Sequence, residues 1–184
     1  MNVLTTDEAE KHLQLQSGSG GTGLADMIEL VSVKLARFAG RDAWGPVESR
    51  TEYHDGGSSF LFPRVWPVES FRVYEDTDHE WAPDTELSAD DFYATESGTI
   101  ASESGKFGDG VRNIKLVYTG GYASTESIPA IVKMAAKIQL EREYNARKRP
   151  GRQGDAASSM ESDAEIMPEA ARLISPMVRR LPFI

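Results

Sequence analysis

Apolar positions along this chain recur at helical spacing near both ends and alternate in the middle. Leu4, Ala9 and Leu13, with His12 beside them, line one side of a predicted short helix over residues 5–15. Thr5 and Thr6 are candidate caps, and the Thr5-to-Glu8 spacing fits a capping box. Ser17 to Gly23 is glycine-rich and reads as a flexible linker. Leu24, Met27, Ile28, Val31, Leu35 and Phe38 then recur at steps of three and four, which predicts a helix over 24–39 closed by Gly40.

From Val47 the period changes to two. Thr51–His54 and Ser59–Phe62, separated by Asp55-Gly56-Gly57, read as a β-hairpin. Val68–Tyr74 alternates as a strand, Asp91–Thr95 and Gly98–Ala101 are weaker strands, and Ile114, Leu116 and Tyr118 mark one face of the last. The β-region spans 47–120 and stops at Gly120-Gly121, a pair that tolerates the positive φ of a tight turn. Ser127 and Pro129 announce a long helix over 128–149. Its inward side is predicted from Ile131, Ala135, Ile138 and Tyr144, with Lys133, Lys137, Glu141 and Lys148 off that stripe. Segregated helices and strands predict an α+β fold, because parallel α/β folds alternate them. The arrangement expected is a small helical bundle, made of two N-terminal helices and one long C-terminal helix, with an antiparallel β-rich middle. An extended C-terminal tail completes it. Residues 1–150 would form the domain, and 151–184 a flexible linker with a docking tail in which Pro168 starts a short helix that Pro176 ends.

Composition narrows the possibilities. The 184 residues suffice for one ordinary domain with appendages. No apolar run approaches the roughly 20 residues of a membrane span, so no membrane partner is expected, and the N-terminus lacks the pattern of a signal peptide. Cysteine is absent, which excludes disulfides, thiol catalysis and cysteine–zinc sites and fits synthesis in a reducing compartment. The net charge of −9 argues against general nucleic-acid binding. The charge is uneven, however: residues 50–110 are acidic, whereas Lys133 to Arg152 holds seven Lys or Arg against Glu141 and Glu143. Opposite-signed regions suit a chain that meets copies of itself or a complementary partner, and a solvated helix face beside acidic loops explains the same pattern.

Motifs for chemistry do not assemble. Gly18–Gly23 follows a helix and leads into Leu24-Ala25, which lacks both the preceding strand and the Gly-Lys-Ser/Thr ending of a phosphate loop. Asp76, Asp78, His79 and Glu80 lack the spacing of a calcium loop and read as a charged turn. His12, His54 and His79 lie in three separate elements. No catalytic, metal or cofactor residues are therefore assigned, and an enzyme is not expected. The candidate residues are instead partner-binding ones. Arg147, Lys148, Arg149 and Arg152, near Arg142, could meet an acidic neighbouring subunit, touch DNA, or complement the helix dipole. Leu173, Ile174, Met177, Arg179, Arg180 and Phe183 form an apolar, basic tail. Trp66, between Pro63 and Pro67, is the best interface candidate among the tryptophans.

Several of these stretches together resemble a known family. They are the Leu4-Thr5-Thr6-Asp7-Glu8-Ala9-Glu10-Lys11-His12-Leu13 helix, a second helix closing on Phe38-Ala39-Gly40-Arg41, and Pro67-Val68-Glu69-Ser70. Val117-Tyr118-Thr119-Gly120-Gly121-Tyr122, Ile128-Pro129 and a helix ending Glu143-Tyr144-Asn145-Ala146-Arg147 complete the ordered set. The chain resembles the head–tail connector (adaptor, or head-completion) proteins of long-tailed bacteriophages over about Leu4 to Arg149, with an echo in Leu173–Arg179. That resemblance implies a non-catalytic virion protein made in the host cytoplasm. It would form a ring, generally of twelve copies, on the portal, extend the DNA channel without specific DNA binding, and offer a surface to the stopper or tail-completion protein. It also implies that the tail from Pro168 engages the portal. Two departures stand out: Gly18–Gly23 replaces an acidic link, and the β-region is long. The alternative is a small non-catalytic protein-binding adaptor or regulatory module.

Overall fold

The structure, a computed structural model, describes residues 1–95, 98–103, 105–147 and 166–178. It is mixed α+β and divides into two compact units, one of residues 1–44 with 124–184 and one of residues 45–123. The first holds the helices α1 (Thr6–His12), α2 (Gly21–Phe38), α3 (Ala130–Arg147) and α4 (Pro168–Ile174). Among the described residues the second holds six strands: β1 (Val47–His54), β2 (Phe60–Leu61), β3 (Val68–Glu75), β4 (Phe92–Ala94), β5 (Ile100–Ser102) and β6 (Ile114–Gly120). The expected linker over 151–164 lies outside the described residues.

In the helical unit, the predicted capping box closes on α1: the Glu8 amide donates to Thr5 Oγ1 at 3.2 Å and the Thr5 amide to the Glu8 carboxylate at 2.9 Å. The glycine-rich segment departs from expectation. It is a turn held by Glu10, whose carboxylate accepts the amides of Gly18 (2.8 Å) and Gly20 (2.9 Å). Those bonds lower the Glu10 pKa and let α2 begin at Gly21, three residues before the predicted start. A side chain from α1 thus holds the turn that leads into α2, including the amide of the residue that precedes it, Gly20. The predicted α2 stripe is the observed one: Leu24, Met27, Ile28, Val31 and Leu35 are buried, while Phe38, the last residue, is exposed.

The α3 stripe is corrected by one residue. Val132, Ala135, Ala136, Gln139 and Leu140 are buried, at the spacing of one helix face, and Ile131 is 43% exposed. Ala135 is buried as predicted and Ile138 and Tyr144 are half-buried, but alanines and a buried amide carry less apolar signal than isoleucine, so the predicted stripe was set about one residue off.

In the β unit, β6 is the central strand of an antiparallel sheet ordered β1-β6-β3. Its Ile114, Leu116 and Tyr118 are at most 1% exposed, as the alternation predicts. The expected hairpin between Thr51–His54 and Ser59–Phe62 is not formed. β1 pairs with β6, and the two-residue β2 pairs with β5 in a second sheet ordered β2-β5-β4. The Gly56 amide donates to Gly110 O (2.9 Å) and to Asn113 Oδ1, and the Gly57 amide to Phe107 O (3.0 Å), so this turn is tied to the 107–113 loop. At Gly121 (φ +97°) a Cβ would strike the Gly45 carbonyl, so this turn position requires glycine.

Glu52 on β1 organises the loop before β3. Tyr118 Oη donates to it at 2.6 Å, the Arg64 amide at 3.2 Å and Arg50 Nε at 2.7 Å, while the Val65 amide donates to Tyr118 Oη at 3.1 Å. Burial opposes the charge on Glu52, but His54, Tyr118, the Arg64 amide and Arg50 outweigh it and bring its pKa to about 2. Burial, reinforced by Glu52, pushes the Tyr118 hydroxyl well above the ordinary tyrosine range. A carboxylate depressed in the folded state stabilises the fold above its ordinary pKa of 4.5, and that contribution is lost as pH falls from there to about 2. Glu52→Gln should therefore flatten the pH dependence of β-unit unfolding over that window, read by fluorescence-monitored denaturation. An acid profile parallel to the parent's would refute this role.

Candidate partner-binding surface

The sequence-predicted partner residues fall into three groups. Arg147 ends α3 and is exposed, where a cation complements the carbonyl end of the helix. Lys148, Arg149, Arg152, Arg179, Arg180 and Phe183 lie outside the described residues. Leu173, Ile174 and Met177 belong to α4 and to the adjoining 3₁₀ turn Ser175–Met177. Ile174 is fully buried, and Leu173 and Met177 are half-buried. Trp66 is only 4% exposed. It is buried, so the expectation of an exposed interface anchor is corrected: it follows Arg64 and Val65, whose amides Glu52 and Tyr118 hold.

The tail helix α4 packs on α3. Ile166, Ala170 and Ile174 supply the apolar contact, with exposures of 7%, 0% and 0%. A polar relay fixes its position. The Met167 amide donates to Gln139 Oε1 at 2.8 Å, and Gln139 Nε2 donates to Glu143 Oε1 at 2.8 Å. Lys34 Nζ from α2 reaches the same Glu143 oxygen at 2.8 Å. Burial raises the Glu143 pKa, but the Lys34 and Gln139 bonds prevail and the net shift is downward. One buried amide thus couples three helices, and the bonds satisfy polar groups that burial would otherwise penalise. A second charged link, Lys133 Nζ to Glu8 Oε1 at 2.7 Å, ties α3 to α1.

Two grooves accompany these helices. One, of about 480 Å³, lies between α3 and the start of α4 and is lined by Ile138, Glu141, Arg142, Asn145, Ala146 and Met167. The other, of about 360 Å³, runs beside α2 past Val33, Ala36, Arg37 and Trp44. Neither gathers a nucleophile, a base and an orienting group. The three histidines stay apart: His12 is 3.5 Å from Glu141, His54 is 3.6 Å from Glu52, and His79 stacks on Trp81. The acidic turn is a backbone device, since Asp76 accepts the amides of Asp78 (2.8 Å) and Trp81 (2.7 Å). Among the described residues no group of three acidic or histidine side chains is placed to hold a metal ion.

The surface that sequence reasoning missed is the outer side of the two long helices. Leu30 and Val33 on α2 are 38% and 42% exposed, and Ile131 and Met134 on α3 are 43% and 51% exposed. On each helix these residues sit away from the buried stripe. Ile131 was legible as an apolar position, but only the packing shows that it faces outward.

No family model matches this chain, and no curated protein matches it. Among solved structures, the chain is similar to one in the neck of an empty gene transfer agent (GTA) particle computed with C6 symmetry. That match has 19% identity over 98% of this chain and 93% of that one, with a TM-score of 0.54. It is also similar to a chain of the virion of a native gene transfer agent particle, at 17% identity over 99% of this chain and 92% of that one, with a TM-score of 0.50. At these identities the likeness is one of fold.

Gln139→Leu should unseat α4 while α2 and α3 stay folded, because the Met167 amide and Glu143 each lose a partner. The expected cost is about 1–3 kcal/mol, seen as earlier unfolding in denaturant and faster proteolysis near residue 166. Unchanged stability and cleavage would show that the relay does not hold the helix.

Proposed function

We propose that this chain is a structural neck protein of a phage-like particle. In this reading it is a head–tail connector subunit that assembles as a ring on the portal, extends the DNA channel and presents a surface to the stopper or tail. The carrying observation is the fold likeness to a chain of a gene transfer agent neck, which spans 98% of this chain and 93% of the other. End-to-end coverage matters because it includes the helical unit and the β unit in one order. The resemblance of the sequence to phage connector proteins points the same way. A ring of twelve copies, as that resemblance implies, is compatible with the sixfold symmetry in which the similar neck was computed.

The work of such a protein is assembly, and its place is the head–tail interface of the virion. DNA passes through the ring, and a net charge of −9 suits a conduit that does not grip phosphate. Arg147 at the end of α3 would meet an acidic surface of the portal or of a neighbouring copy. The buried face of α4 refines the docking tail: Ala170 and Ile174 are used within the subunit, which leaves Leu173, Met177 and the residues after Val178 for the portal.

Electron microscopy of the purified protein mixed with its portal should show a ring of added density on the portal. A bare portal at saturating protein would overturn the reading. Truncation after Val178 should weaken portal attachment about tenfold or more, the loss of a single anchor contact, without altering the unfolding curve. Full attachment by the truncated chain would remove the tail from the interface.

A further inference from the structure

Besides Met1 and Phe38, the exposed large apolar residues of α2 and α3 form two different ridges, and the two complement each other. On α2, Leu30 and Val33 are one turn apart and project away from the buried Leu24–Leu35 stripe; Val33 rims the 360 Å³ groove beside Trp44. On α3, Ile131 and Met134 stand in the same relation to the buried Val132–Leu140 stripe. Met134, half exposed on a flexible stem, is suited to filling an irregular groove. Neither ridge is covered by another part of the described chain, and leaving four large apolar side chains in water is unfavourable.

We infer that the partner for both ridges is a second copy of this chain, bound head to tail. The α2 ridge of one subunit would receive the α3 ridge of the next, with the helices antiparallel. Charge favours this pairing and this direction. With Leu30 and Val33 set opposite Ile131 and Met134, antiparallel packing brings Glu29 on the flank of α2 beside Lys137 on the same flank of α3. It also carries Arg37 towards the start of α3, near Glu126. Parallel packing would instead set Glu29 and Lys137 on opposite flanks of the contact. Because the two surfaces differ, each copy keeps one of each unsatisfied after pairing, and such heterologous contacts propagate until a ring closes. The inference rests on the connector reading and names the surfaces that build its ring.

The absence of cysteine makes a direct test clean. Leu30→Cys and Met134→Cys are introduced singly and together, and each protein is oxidised both alone at high concentration and bound to portal. The double variant should give a covalent ladder of dimers, trimers and higher species under denaturing conditions, and each single variant should give none. Dimers from a single variant would mean that a ridge meets its own copy, and would overturn the head-to-tail assignment. So would absence of a ladder in both preparations of a double variant that unfolds like the parent. Glu29→Lys in the double-cysteine background should cut the ladder yield about fivefold, and adding Lys137→Glu should restore it. Lack of restoration would overturn the antiparallel register. A portal ring without the ladder would refute these surfaces and leave the connector reading intact; a ladder without portal binding would do the reverse.

Discussion

A fully buried glutamine sets the terms for the helical unit. Gln139 has no access to water, so its carbonyl and its amide must both find partners within the protein. The carbonyl takes the Met167 amide and the NH₂ group reaches Glu143, which in turn requires a cation, Lys34. Each requirement fixes one more element: the axial position of α4 on α3, then the position of α2 beside α3. The surrounding small residues, Ala135, Ala136 and Ala170, let the helices approach closely enough for these bonds to form. Apolar contact supplies most of the driving force for packing, and the polar relay selects one arrangement from the many that alanine-rich faces would accept.

Glu52 plays the corresponding part in the β unit. Its carboxylate gathers side chains from its own strand, the Tyr118 hydroxyl of β6 and the Arg64 amide of the loop that precedes β3. Each unit is therefore registered by a polar side chain with several partners, an amide in the helical unit and a carboxylate in the β unit. The tail helix belongs to the helical unit's own packing, since Ala170 and Ile174 are buried there.

The two exposed ridges have a different physical origin. A helix in a small unit has more surface than its own neighbours can cover, and apolar residues beyond the buried stripe are either incidental or meant for another molecule. Here they occur as pairs one turn apart on two helices, with opposite charges on matching flanks.

The sequence by itself determined the period of each segment, and hence the α+β class, the capping box at Thr5, the buried face of α2 and the inward side of β6. Those features depend on side chains within one turn or one strand of each other, so local spacing reports them. Tertiary structure decided the features that depend on residues distant in the chain. Strand partners were beyond reach because pairing is set by which strand completes a sheet, so β1 joined β6 across some sixty intervening residues and not its neighbour β2. The glycine-rich turn read as a linker because its anchor, Glu10, lies in another helix. The inward face of α3 was set about one residue off, with Ala135 correct, because alanine and a satisfied glutamine carry little apolar signal, whereas the outward Ile131 carries much. Trp66 looked like an anchor for a partner because aromatic character is visible in a sequence and burial is not.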